Sequence, residues 1–206
     1  LAYTLLLAAL LLPGGALGDR FGRRRIYALG IAIFAVASAA CGVAANIGQL
    51  VAARAVQGVG GALLVPGSLA IIGASFAPER RGRAIGTWSG FSAVTTALGP
   101  VLGGWLVQHI SWRAVFFINL PLAALTLAIL FWQVPESRNQ DAPPNVDWLG
   151  ALLAAVGLGS LTYGLNESSS LGPGNPVVLV CVAGGIVGLA AFVAVEARIR
   201  GPMMPL

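Results

Sequence analysis

Arg54 is the residue whose placement carries most chemistry in this sequence. It is a guanidinium between two uncharged stretches, residues 26–53 and 55–78. Gln57 follows at i+3, on the same face of a helix, and Gly58, Gly60 and Gly61 come next. A charge inside an apolar span costs several kcal/mol, so it faces a polar cavity and takes a partner. Its simpler use is as a brace that pairs only with backbone carbonyls. A second cluster is Gly15-Ala-Leu-Gly18-Asp19-Arg20-Phe-Gly22-Arg23-Arg24-Arg25. It places one acid among four arginines, with glycines that permit a tight turn and close helix approach. A plain solvated loop that only sets orientation would fit the arginines, but it does not require the Asp or the glycine spacing. A third is Gly99-Pro100-Val-Leu-Gly103-Gly104. Proline removes a helical hydrogen bond, and glycines four apart open a groove for another backbone.

Other chemistries find no support in the residues. His109 is a lone histidine at a helix end with no acid within a turn. No cluster has metal-ligand spacing, and no nucleophile triad is visible. Gly58-x-Gly60-Gly61 lies within a span, so it is not a dinucleotide loop. No metal and no cofactor is expected.

The elements that position these residues follow from composition. Of 206 residues, 57% are hydrophobic and 9% charged, against about 25% charged in a soluble domain. Lipid must therefore be the main solvent. Crossing a bilayer takes about 20 apolar residues as a helix, and a helix satisfies its own backbone. The expected fold is an all-α transmembrane bundle of about seven spans, near 1–18, 26–45, 48–75, 84–107, 113–133, 147–166 and 176–197. The net charge of +5 flanks apolar runs, which marks topology and not a nucleic-acid partner. Cys41 and Cys181 lie inside apolar runs and read as structural thiols.

Arginines alternate strictly along the chain. Segments 19–25, 77–83, 134–146 and the tail hold ten, and the alternate side holds only Arg113. The positive-inside rule then places the Arg-rich loops in the cytoplasm of a multi-pass cell-membrane protein. No Asp or Glu lies deep in a span. Asp19, Glu79, Glu136, Asp141, Asp147, Glu167 and Glu196 all fall at ends or in loops.

The motifs together resemble the major facilitator superfamily of transporters. Gly-x-Leu-x-Asp-Arg-x-Gly-Arg-Arg, at residues 15–24, resembles the family's loop between helices 2 and 3. Leu50-x-x-x-Arg54-x-x-Gln57-Gly58 is similar to its helix-4 motif. The segment around Gly99-Pro100 resembles the helix-5 antiporter motif, with Thr95 in place of the first glycine. Ser111-Trp112-Arg113 through Asn119 and Pro121, Asp147-Trp148 through Glu167, and Phe192 through Leu206 look like the 14-helix drug:proton antiporters.

That resemblance implies helices 2 to 6 of the first bundle in residues 1–133. A cytoplasmic linker follows at 134–146, and two extra helices occupy 147–206. The first helix and the second bundle would be partners outside this sequence, and substrate would sit between bundles. It further implies that Arg54, with Gln57 beside it, serves proton coupling. The loop around Asp19 would hold the bundles in one state, and Gly99, Pro100, Gly103 and Gly104 would serve exchange. The expected function is proton-driven export of small amphipathic or drug-like molecules, with the midplane acid supplied by the first helix; coupling through Asp19 or Glu167 at the rims is the alternative. An uptake carrier for a sugar or metabolite is the alternative. A channel or facilitator without coupling fits Arg54 and the Gly-Pro element less well, and a membrane enzyme lacks a catalytic cluster.

Overall fold

The computed structural model describes residues 1–138 and 147–198. Asp141, most of the linker and the Pro202–Leu206 motif lie outside the described residues. Eight helices follow in order: α1 (Ala2–Phe21), α2 (Arg23–Val43), α3 (Ile47–Ser75), α4 (Pro78–His109), α5 (Ala114–Phe117), α6 (Asn119–Gln133), α7 (Trp148–Leu171) and α8 (Pro176–Glu196). Helices α5 and α6 form one span, which gives seven segments long and apolar enough to cross a membrane. Among the described residues there is no strand. Large apolar side chains point outward along these helices, such as Val36, Ile47, Phe91, Trp132 and Val180. Such a surface is stable only against lipid.

Helix ends follow local chemistry. Asn46 caps α3 by accepting from Gln49 N at 2.9 Å, and Gln49 Oε1 accepts from Ala45 N at 2.9 Å. Asn46 thus satisfies an orphan donor of the first turn, and Gln49 reaches back to the residue before the cap. Asp147 caps α7 through Gly150 N at 3.0 Å, and Asn175 caps α8 through Val177 N at 2.9 Å. Pro78 and Pro176 open α4 and α8 at the first turn, where a missing N–H costs nothing. Pro121 enforces the break at Ile118: its ring excludes a continuous helix over the carbonyl four residues back, so α6 starts afresh at Asn119.

Several boundaries differ from the sequence expectation. The stretch 19–25 is not a loop. Helix α1 continues to Phe21 and α2 begins at Arg23, leaving Gly22 alone as the turn, with φ 108°. Helix α4 starts at Pro78 rather than near residue 84, because Pro78 and Glu79 make a good helix start. Helix α7 runs on to Leu171, since Ser168, Ser169 and Ser170 return their hydroxyls to carbonyls of the preceding turn.

Helix α3 packs between α1 and α2 on a row of glycines. A methyl on Gly58 would stand 2.5 Å from Tyr3 O of α1, and one on Gly60 would stand 2.7 Å from Phe34 N of α2. Backbones this close gain dispersion contacts that lipid cannot replace. Ile31, Ala123 and Leu130 form a second contact, where α2 meets α6. Helices α7 and α8 pair as a hairpin, and α7 packs on α1. Helix α4 touches only α3 and α5 among the described helices and buries no residue.

Candidate functional site

Arg54 lies seven residues after the start of α3, roughly 10 Å along the axis. Its Nη1 donates to Gln57 Oε1 at 2.6 Å. Gln57 Nε2 donates to Ser38 Oγ of α2 at 2.5 Å, and Asn119 Nδ2 of α6 donates to the same oxygen at 3.2 Å. Ser38 is thus the hub of a polar chain that joins three helices. Ser38 is 0% exposed and Gln57 1%, so each polar atom depends on its protein partner.

Aromatic rings frame the charge. The Arg54 guanidinium carbon sits 4.4 Å from the Tyr3 ring centre of α1 and 5.9 Å from that of Phe116 in α5. Ring faces attract a cation, more so away from water. Among the described residues no carboxylate pairs with Arg54. An arginine does not give up its proton, so Arg54 is a fixed positive charge held in position. Such a charge lowers the proton affinity of any carboxylate brought beside it.

The expected pairing of Arg54 with Gln57 is present. Asn119, which the sequence places in a stretch similar to the drug:proton antiporters, has Ser38 as its partner. Ser38 and Tyr3 gave less signal: a small hydroxyl in an apolar run and an aromatic near the chain start are both ordinary in membrane helices.

The turn around Gly22 distributes its charges unevenly. Arg23 Nη2 pairs with Asp19 Oδ1 at 2.7 Å, and Arg23 Nε donates to it at 2.8 Å. Arg24 and Arg25 turn instead to Glu136, with nitrogens 3.9 and 3.4 Å from its Oε2. Arg24 Nη1 also donates to Val134 O at 3.0 Å. Arg20 rests over the Phe21 ring. Asp19 therefore meets one of its four neighbouring arginines. A methyl on Gly15 would meet Pro66 of α3 at 3.4 Å, and one on Gly18 would meet nothing within 4 Å. Glu136 is the partner that sequence reading left in a loop; Val134-Pro-Glu-Ser at a helix end was its only signal.

Gly99, Gly103 and Gly104 lie on α4 facing open space, since a methyl on any of them would meet nothing within 4 Å. Helix α4 passes through Pro100 without a break. The close backbone approach expected of this groove is not made by the described residues. Glu196, expected at a span end, is the last residue of α8 but is 2% exposed. Its carboxylate lies near Gly150, which Asp147 caps. His109 stacks on Trp105 with ring centres 5.1 Å apart and meets Trp105 O at 3.0 Å, as an interfacial side chain does.

Seven apolar helices, with a half-buried arginine on a buried polar chain and a charged one-residue turn, define a polytopic α-helical membrane protein. The sequence profile of the Major Facilitator Superfamily matches residues 1–200. The chain belongs to that superfamily of membrane transporters. It is 40% identical over 206 residues to the tetracenomycin C resistance and export protein of Streptomyces glaucescens, covering 99% of this chain and 38% of that one. It is 39% identical to the methylenomycin A resistance protein of Bacillus subtilis (strain 168), covering 98% and 43%. It is also 39% identical to the multidrug resistance protein Stp of Mycobacterium tuberculosis (strain CDC 1551 / Oshkosh), covering 100% and 38%. The chain spans about two-fifths of the length of these relatives.

Proposed function

We propose that this chain is the first-bundle part of a proton-coupled exporter of small amphipathic molecules. Residues 1–133 supply helices 2 to 6 of that bundle, 134–146 a cytoplasmic linker and 147–206 two helices between bundles. The relatives' names, which speak of resistance and export, support export over uptake. The observation that carries the reading is the Arg54–Gln57–Ser38–Asn119 chain. It holds a permanent charge in the bundle with no acidic partner among the described residues.

In this reading a carboxylate from the remainder of the transporter, in the helix before α1, approaches Arg54 in one state and leaves it in another. Near Arg54 it gives up its proton; away from the charge it takes one. The Asp19–Arg23 pair and the Gly99–Gly104 groove serve the rocking of one bundle on the other. Lipid, protons and the exported molecule are the partners.

The test is drug-driven proton movement in inverted vesicles holding the full-length protein. Arg54→Ala should express and insert but lose proton-coupled export. Arg54→Lys should also be impaired, because an ammonium lacks the planar fork that meets Gln57 and two rings together. Wild-type export by Arg54→Ala would reduce the residue to a brace.

A further inference from the structure

A cavity of about 680 Å³ opens where the end of α3 meets the start of α4. Arg80 and Arg83 line one end, and Ile72, Phe76, Trp88 and Phe91 line the rest. The two arginines are three residues apart on one face of α4, and both are exposed. Among the described residues neither guanidinium has a hydrogen bond or an acidic partner, whereas Arg81 between them donates its Nε to Phe76 O at 3.0 Å. Glu79 stands beside them in sequence but pairs with neither. The wall is mostly apolar. Ile72 and Trp88 also border a second space of about 240 Å³, lined further by Tyr27, Ile71 and Leu130.

Two guanidinium groups without a side-chain partner at a span end, beside an apolar hollow, match one kind of molecule. It carries an anionic head and an acyl chain. Basic pockets between helices at a membrane surface hold phosphate headgroups, and guanidinium matches phosphate oxygens bidentately. We infer that the α3–α4 groove is a binding site for an anionic phospholipid. The phosphodiester rests on Arg80 and Arg83, and one acyl chain lies over Trp88 toward Leu130. The inference depends on the transmembrane fold and not on proton coupling.

The test uses the full-length protein purified in detergent and titrated with phosphatidylglycerol or phosphatidylcholine, with bound lipid counted by native mass spectrometry. Phosphatidylglycerol should bind tighter. Joint Arg80→Gln and Arg83→Gln replacement should weaken it by about 30-fold and remove the preference. Joint replacement by Lys should keep most of it, which separates lost charge from lost fold. Arg138→Gln, another exposed arginine, should change nothing. Equal binding of the two lipids, or an equal loss with Arg138→Gln, overturns the site. So does displacement of phosphatidylglycerol by equimolar inorganic phosphate, which would show a plain anion site. A photo-crosslinker at Phe91 should capture lipid. Capture only of another segment of the same protein would show that protein fills the groove and would equally overturn it.

Discussion

Glu136 Oε1 accepts a hydrogen bond from the backbone N–H of Arg24 at 3.1 Å, across 112 positions of sequence. The carboxylate sits at the N-terminus of α2, where orphan N–H groups and the helix dipole favour negative charge. It occupies the space beside Gly22, where a methyl would stand 2.7 Å from Oε1. The start of α2 is thereby tied to the end of α6, and Arg23 N adds a bond to Ser137 O at 2.8 Å.

Gly22→Ala should therefore destabilise the bundle on two counts. The residue has φ 108° and ψ 125°, a backbone region that costs an L side chain about 1–3 kcal/mol, and the methyl would displace Glu136. A thermal unfolding midpoint in detergent should fall clearly. An unchanged midpoint would mean that the turn relaxes freely and the Glu136 cap contributes little.

Ser38→Ala should cost about 1–3 kcal/mol, because it strands the Gln57 amide in a fully buried position. Export should fall with Arg54 still present, since its positioning chain is cut. Ser38→Ala combined with Gln57→Leu should regain stability but not transport. Recovery of both would separate Arg54 from the polar chain.

Gly60 and Gly73 make a matched pair within α3. A methyl at Gly60 would meet Phe34 N at 2.7 Å, and one at Gly73 would meet nothing within 4 Å. Gly60→Ala should lower stability by about 1–3 kcal/mol. Gly73→Ala should be neutral or gain up to about 1 kcal/mol from helix propensity. Similar unfolding midpoints for the two variants would contradict the close α2–α3 contact.

A methyl at Gly103 would meet nothing within 4 Å, so Gly103→Leu should leave insertion and folding of the described helices unchanged. In the full-length protein it should slow turnover while substrate binding holds, if the groove meets the second bundle. Normal transport rate and affinity would place this face of α4 against lipid.

Topology is open to labelling. In a background with Cys41 and Cys181 replaced, single cysteines at Arg81 and Ser169 should label from opposite sides of the membrane, with Arg81 cytoplasmic. Labelling from one side alone would undo the assigned orientation.

What the chain shows by itself is whatever depends on near neighbours. Span number and class follow from hydropathy, because a helix in lipid needs only its own length of apolar residues. Arg54 and Gln57 meet because three residues along a helix is one face. Asn46 and Asp147 act as caps within their own turns. Even local boundaries slip where a charged segment can still be helical, as Asp19 to Arg25 is on both sides of Gly22. The choice of Ser38, Asn119 and Tyr3 around Arg54 depends on how α1, α2 and α6 are rotated about α3, and glycine-lined backbone contacts set that rotation. The capture of Arg24 and Arg25 by Glu136 and the burial of Glu196 arise the same way. Each joins residues from helices far apart in sequence, and only packing decides which faces meet.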